Sequence, residues 1–189
     1  MTLRARKRQA TEEALVVAAM ARFAEQGFDE TSVDVIAEDA GVSRRTFFRY
    51  FPTKEAVFFH RQRQRLAAFA DALGHEASTP WDAVRGVLRR FAKAYEAERT
   101  QLLAERRILA GSRTLMALEL QVDQEWEGQL ARTLAASRPP IEADVLAGAV
   151  VGAVRAVLRH WYDAEGQIDL ESAGDRALEL LEHGVLAAA

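Results

Sequence analysis

Between Ser43 and Lys54 the chain reads Ser-Arg-Arg-Thr-Phe-Phe-Arg-Tyr-Phe-Pro-Thr-Lys. Arginines, hydroxyls and aromatic rings at this density suit nucleic-acid recognition. At ~100° per residue in a helix, Phe47 and Phe51 share one face, and Arg45 and Arg49 lie about 200° from Phe47. One face can therefore pack inward while the other presents guanidinium groups, flanked by Arg44, Thr46, Phe48 and Tyr50. An outward arginine can fork onto O6 and N7 of guanine. The Thr46 methyl can touch a thymine methyl, and the Thr46 and Tyr50 hydroxyls can bond phosphate. The bland alternative is a solvated cationic helix face. It is disfavoured because the cationic face coincides with signals that fix a specific supersecondary unit.

Those signals lie on either side. Thr31 followed by Asp34 fits a capping box that starts a first helix. Val33, Ile36, Ala37 and Ala40 follow at i, i+3, i+4 and i+7, a buried stripe. Gly41 ends that helix, since glycine best tolerates the left-handed conformation needed there. Ser43 caps the next helix, and Pro52 stops it because proline cannot continue the hydrogen-bond ladder. Helix, glycine turn, short capped helix is the helix-turn-helix pattern, whose second helix enters the DNA major groove. Upstream, a helix is predicted over 11–26, with Glu12 and Glu13 at its positive end and Leu15, Ala18, Ala19 and Phe23 as its buried stripe. Gly27 ends it, which makes a three-helix bundle. Residues 1–9 carry Arg4, Arg6, Lys7 and Arg8 and read equally as a flexible basic arm reaching phosphates or the minor groove and as a frayed, solubilising terminus.

The net charge of −3 opposes DNA binding until it is divided. Residues 1–65 hold 12 Lys/Arg against 9 Asp/Glu, and the remainder 13 against 19. The half with the helix-turn-helix is basic; the acidic half would be repelled by phosphate and helps orient the molecule. A chain of 189 residues, 49% apolar, suits one or two packed domains. It has no cysteine, which excludes disulfides, thiol catalysis and Cys-bound zinc. No apolar run reaches the ~18 residues of a membrane span, and the N-terminus lacks a signal-peptide core. A cytoplasmic protein without membrane contact is expected. His60, His75, His160 and His183 show no paired metal spacing, and neither a phosphate-cradling glycine loop nor a nucleophile elbow is present. No cofactor is expected and an enzyme is disfavoured.

The rest of the chain is helical in pattern. Thr53 caps a fourth helix running to about Leu73, followed by a polar connection over 74–80. Thr79-Pro80 opens a helix to about Arg99. Shorter and longer helices follow over 101–110 and, after the Gly111-Ser112 break, to about Ala136. Ser137-Arg138-Pro139-Pro140 is a further break. Helices over 141–162 and from Leu170 to about Ala187 complete the chain. The fold class is all-α, with a helix-turn-helix domain over 1–58 and a larger helical domain over 59–189. Phe69, Trp81, Leu88, Phe91, Tyr95, Leu103, Met116, Leu120 and Trp126 are candidates to line an apolar ligand cavity; for each, ordinary core is the alternative. Arg106, if it faced inward, would favour an anionic ligand. Gly148, Gly152 and Ala156 repeat every four residues on one helix face. Glycine in a helix interior costs ~1 kcal/mol relative to alanine, so the row suggests a second backbone close by. The row is read as a seam between two subunits, with close packing inside one subunit as the alternative.

Phe23-Ala24-Glu25-Gln26-Gly27-Phe28, Thr31-Ser32-Val33, Ile36-Ala37, Ala40-Gly41-Val42-Ser43, Thr46-Phe47-Phe48-Arg49-Tyr50-Phe51 and Lys54-Glu55-Ala56 together resemble the TetR-family transcriptional regulators. The resemblance covers residues 10–58. It implies a homodimer that binds a palindromic operator in double-stranded DNA, represses by blocking polymerase, and is released by a small effector. It implies that Arg44 reads a base, that Tyr50 contacts phosphate and that Lys54 sits near the DNA backbone. The candidate DNA-contacting set is Thr31, Ser32, Ser43, Arg44, Arg45, Thr46, Phe48, Arg49, Tyr50 and Lys54. The family usually has tyrosine at Phe48, where phenylalanine lacks the hydroxyl that would bond phosphate. The resemblance further implies that the fourth helix transmits ligand binding and that the last two long helices of each subunit pair as a four-helix bundle. The Phe-Phe-Arg-Tyr-Phe stretch also resembles regulators with an acyl-CoA-like ligand. A ligand-independent or partner-recruiting DNA binder shares every DNA feature and stays open here.

Overall fold

The computed structural model describes residues 2–73 and 79–184. These form α1 (Leu3–Gln26), α2 (Val33–Asp39), α3 (Arg44–Tyr50), α4 (Lys54–Phe58), α5 (His60–Leu73), α6 (Pro80–Ala97), α7 (Arg99–Ala110), α8 (Arg113–Leu134), α9 (Pro140–Asp163) and α10 (Leu170–His183), with no strand among the described residues. The chain divides into two compact units, Met1–Arg65 with Ala104–Ala117, and Leu66–Leu103 with Leu118–Ala189. The first unit is larger than the expected 1–58.

In the first unit, helix formation starts eight residues earlier than the expected Thr11. Thr2 caps α1 by accepting from the Ala5 N–H at 3.3 Å, and Leu3–Ala10 are helical and exposed. The expected flexible arm is therefore the first turns of a helix. Arginine, lysine and alanine are strong helix formers, and a cap is enough to extend the helix through them. Leu15, Val16, Ala18, Ala19 and Phe23 bury the inner face, and the Phe23, Phe28 and Phe58 rings pack with centroids 4.9–6.3 Å apart.

The first helix of the helix-turn-helix also starts differently. Ser32, not Thr31, caps α2, accepting from the Val35 N–H at 3.3 Å. Thr31 is buried, its hydroxyl donating to the Gly27 carbonyl at 2.7 Å and accepting from Gln26 Nε2 at 3.3 Å. The turn after α2 follows expectation. Gly41 has φ +65°, its N–H bonds the Glu38 carbonyl, and the Val42 N–H bonds the Ala37 carbonyl. This paired closure is the Schellman motif, which needs a residue without Cβ strain at Gly41.

The expected fourth helix is two helices. Thr53 caps α4 through the Ala56 N–H at 3.1 Å, but the helix breaks at Phe59 before α5 begins. Val57, Phe58 and Phe59 are all buried, and three consecutive side chains span ~200° of a straight helix. The break lets all three reach the core. Arg61 and Arg65 on α5 both approach Glu105 on α7, at 3.9 and 3.4 Å. Ser112 fills the turn before α8: its buried Oγ donates to Asp29 Oδ1 at 3.0 Å and accepts from the Leu115 N–H at 3.3 Å. These bonds are why Ala104–Ala117 belong to the first unit.

The second unit is built on α6, α9 and α10. Thr79 caps α6 through the Asp82 N–H at 3.1 Å, with Pro80 in the first turn. Arg85, Arg89 and Lys93 recur every four residues on α6 and pair with Glu182, Asp175 and Glu171 on α10, a ladder that fixes the two helices antiparallel. Arg85 and the Trp81 N–H both hold Glu182, keeping its carboxyl below the usual range. Between the helices lies one apolar cluster around Phe69, Val84, Val87, Leu130, Leu134, Val150 and Leu178. A second gathers Leu102, Trp161 and Leu170 with Tyr95, Leu103, Val157, Leu158 and Tyr162. The α9–α10 turn uses left-handed backbone at Glu165 and Gly166. Gly166 is required there, because a Cβ would lie 2.6 Å from Arg99 Nε, which donates to the Glu165 carbonyl at 3.0 Å. The predicted connection over 74–78 and the end of the last helix, 185–187, fall outside the described residues.

Candidate nucleic-acid interface

α3 carries its two faces as the periodicity requires. Phe47 is fully buried and Phe51 nearly so, with ring centroids 6.1 Å apart, while Arg44, Arg45, Phe48 and Arg49 are exposed. Thr46 and Tyr50 are half-buried at the margins. Ser43 Oγ accepts from the Thr46 N–H at 3.1 Å and lies 3.0 Å from Thr46 Oγ1, so both hydroxyls are partly committed to the cap. The Arg49 guanidinium sits 5.3 Å from the Tyr50 ring centroid, in cation–π range.

Arg44, in the first turn of α3, is held from two sides. Its Nη1 donates to Asp34 Oδ2 at 2.6 Å, and its guanidinium lies 5.3 Å from the Phe48 ring centroid. Asp34 was legible only as part of a helix start; nothing in its spacing from Arg44 marks it as a partner.

Lys54 is half-buried, and its charge turns toward the unit's own backbone. Its Nζ donates to the carbonyls of Phe28, Asp29 and Thr31 at 2.6, 3.2 and 2.8 Å, and lies 4.4 Å from the Phe28 ring centroid. An ammonium has three N–H groups, and three carbonyls take them all. The phosphate contact expected of Lys54 does not follow from this geometry; the side chain instead clips the loop entering α2. Thr31, with its hydroxyl turned inward, is likewise occupied within the unit. Ser32 is exposed at the α2 N-terminus, with its Oγ on the Val35 N–H.

α1 and α2 are joined by Arg22, whose Nε and Nη2 donate to Asp39 at 2.5 and 2.9 Å. Hydrogen bonding from Arg22, together with its charge, holds the Asp39 carboxyl below its ordinary range against the opposing effect of burial. Sequence reading missed this pair, since seventeen residues separate its members.

The candidate ligand-lining residues are not gathered in one place. Phe69, Phe91 and Trp126 pack edge-to-face on one another, with centroids 5.0–5.9 Å apart. Trp81 and Leu88 belong to the same cluster, whereas Tyr95 and Leu103 belong to the second. Arg106 and Met116 fall in the first unit. Met116 and Leu120 are exposed, Leu120 at 60%, and line no interior surface. Apolarity alone marks both as candidates; α8 turns them outward because Leu115, Val122 and Leu130 take its buried positions. On α9, a Cβ added at Gly148 or Gly152 would meet nothing within 4 Å, and Ala156 is half-buried. Among the described residues, no neighbouring element packs on the two glycines of this row.

Residues 15–60 match the family of bacterial regulatory proteins, tetR family, and residues 78–186 match the MftR C-terminal domain. The chain belongs to the TetR family. It is 33% identical to the HTH-type transcriptional regulator TcmR of Streptomyces glaucescens, over 90% of this chain and 80% of that protein. It is 27% identical to the transcriptional regulator MftR of Mycobacterium tuberculosis, over 95% and 93%. The crystal structure of Thermus thermophilus FadR, a TetR-family repressor in complex with lauroyl-CoA, superposes with a TM-score of 0.66 at 26% identity, covering 92% of this chain and 94% of that one. As a TetR-family member the protein is a DNA-binding transcriptional regulator. Its relatives are regulators, not enzymes. Among the described residues no helix is long and apolar enough to cross a membrane.

Proposed function

We propose that the protein acts in the cytoplasm as a homodimeric repressor that binds a palindromic operator and is released by a small apolar or amphipathic ligand. It performs no catalysis in this role. The observation that carries the dimer is the α9 surface. Ile141 and Val145 are 75% and 66% exposed, and Gly148 and Gly152 continue the same face with open space above them. Exposed apolar side chains running into a glycine row are what two helices need to approach closely. A two-fold dimer would hold two recognition helices in major grooves about 34–36 Å apart, or a multiple of that, which a palindrome matches.

On DNA, Arg45 and Arg49 read base edges, with Ser32, Ser43, Thr46 and Tyr50 at the backbone. The acidic second half, held away from phosphate by its charge, carries the sensor. Similarity to FadR in complex with lauroyl-CoA supports an acyl-CoA-like effector. The test is selection of bound duplexes from random DNA, followed by operator titrations with acyl-CoA thioesters of graded chain length. The reading requires an enriched inverted repeat and a ligand that lowers operator affinity, since one binding free and DNA-bound protein equally shifts nothing. Enrichment without an inverted repeat overturns the dimer; no change in operator affinity at saturation overturns release by these thioesters.

A further inference from the structure

Trp161, near the C-terminal end of α9, is the largest fully buried side chain among the described residues, and its indole N–H has no acceptor among them. A buried tryptophan ordinarily finds a partner for that N–H, and an unpaired one costs free energy that phenylalanine would not. Around it Leu102 and Leu170 are buried, while Leu103, Val157, Leu158 and Ile168 pack from outside, half-buried. All belong to the second unit, in a cluster separate from that of Phe69 and Trp126. The indole thus lies one side-chain layer beneath the surface. The backbone around it is pinned: the Gly166 N–H donates to the Trp161 carbonyl at 2.8 Å, and the Leu170 N–H donates to Glu96 Oε1 at 2.8 Å. A buried water would need about two to four polar partners, and these aliphatic side chains supply none. An acceptor carried on an apolar body meets both needs, pairing the N–H and covering the aliphatic surface.

We propose that Trp161 is the hydrogen-bond donor of a binding site for an uncharged carbonyl compound, a ketone, ester or thioester with an apolar body. An indole N–H donates once and accepts nothing, so it selects an acceptor. Apolar walls with one placed polar group are the usual make-up of a small-molecule site. An ionised carboxylate is rejected, because one neutral N–H does not replace the water that a buried charge gives up. The site therefore separates an acyl ester or thioester from its free acid. The proposal rests on the reading that the second half carries the small-molecule sensor, and it adds the polar group that the effector must bear.

The experiment follows the indole N–H resonances of Trp81, Trp126 and Trp161 by proton–nitrogen NMR of the full-length protein. Trp161→Phe assigns the Trp161 signal; if that variant does not fold, Trp81→Phe and Trp126→Phe assign it by elimination. The probes are acetophenone, ethylbenzene and benzoate. Acetophenone should move the Trp161 proton downfield, the direction of a new hydrogen bond, and saturate. Ethylbenzene, which has two hydrogens in place of the oxygen, should bind about tenfold more weakly, the worth of one buried hydrogen bond. Benzoate should leave the signal unmoved. Trp161→Phe should bind acetophenone and ethylbenzene alike. A Trp161 proton indifferent to acetophenone, an equal response to ethylbenzene, or a ketone preference that survives Trp161→Phe overturns the proposal. The Tyr162 ring lies 5.2 Å from that of Trp161, centroid to centroid. An indole proton held upfield by that ring and unmoved by the ketone reports an internal N–H···π contact, which also overturns it. Operator titration with acetophenone tests the sensor reading separately: binding at Trp161 with unchanged operator affinity upholds the site and overturns release through it.

Discussion

The Lys54 ammonium lies 2.6 Å from the Phe28 carbonyl oxygen and 2.8 Å from that of Thr31. A charge at the edge of a DNA-binding unit is thereby spent on its own backbone. Lys54→Ala should lower stability by about 2–3 kcal/mol, because charged hydrogen bonds are worth more than neutral ones and half-buried carbonyls lose their donor. The salt dependence of DNA binding should keep its slope, since no phosphate contact is removed. Denaturant unfolding and affinity measured across a salt series check both. A slope reduced by about 1 would return Lys54 to the phosphate contacts.

Acid should loosen the α1–α2 junction. Hydrogen bonds from Arg22 lower the Asp39 carboxyl in the folded state. A carboxyl lowered on folding stabilises the protein fully above its unfolded value of about 3.9 and loses that contribution as pH falls through the folded value. Asp39→Asn should therefore be less stable than wild type at pH 5–7, and the difference should shrink below about pH 4. Thermal midpoints of both proteins across this range measure it; a constant difference down to pH 2 contradicts the assignment.

The α9 glycine row gives a sharp test of assembly. Among the described residues, nothing beyond the helix's own backbone lies within 4 Å of a Cβ at Gly148 or Gly152. Gly148→Leu and Gly152→Leu should thus fold normally yet separate any helices meeting there. Sedimentation should show helical monomers with much weaker operator binding. Dimers persisting in both variants would put the seam on another surface.

Phe69 and Phe91 should behave differently on truncation. Phe69 is fully buried against Phe91 and Trp126, whereas Phe91 is half-buried. Phe69→Ala should cost about 3–5 kcal/mol, the usual cost of removing a buried aromatic ring, and Phe91→Ala clearly less. If effector binding uses this aromatic cluster, Phe91→Ala should still bind operator but respond poorly to the ligand. Calorimetry and operator titration separate the two effects, and equal destabilisation by both variants would refute the difference in burial.

By itself the sequence determined the DNA-binding half to a fine grain. Gly41, Ser43 and Pro52 set the turn, the start and the stop of α3 through interactions spanning at most five residues. The same short range let periodicity sort Phe47 inward and Arg45 outward. Caps, turns and helix faces are local, so they can be read in order along a chain. Tertiary structure decided the rest. Thr31 yielded its cap to Ser32 because folding buries Thr31 against Gly27 and Gln26. Lys54 met its carbonyls across some 25 residues, and Ser112 met Asp29 across 83. Asp34 became the partner of Arg44 only once the turn brought α2 beside α3. The apolar residues of the second half told least: composition marks a side chain as fit for burial, but only packing assigned Phe69 to the interior and Leu120 to the surface.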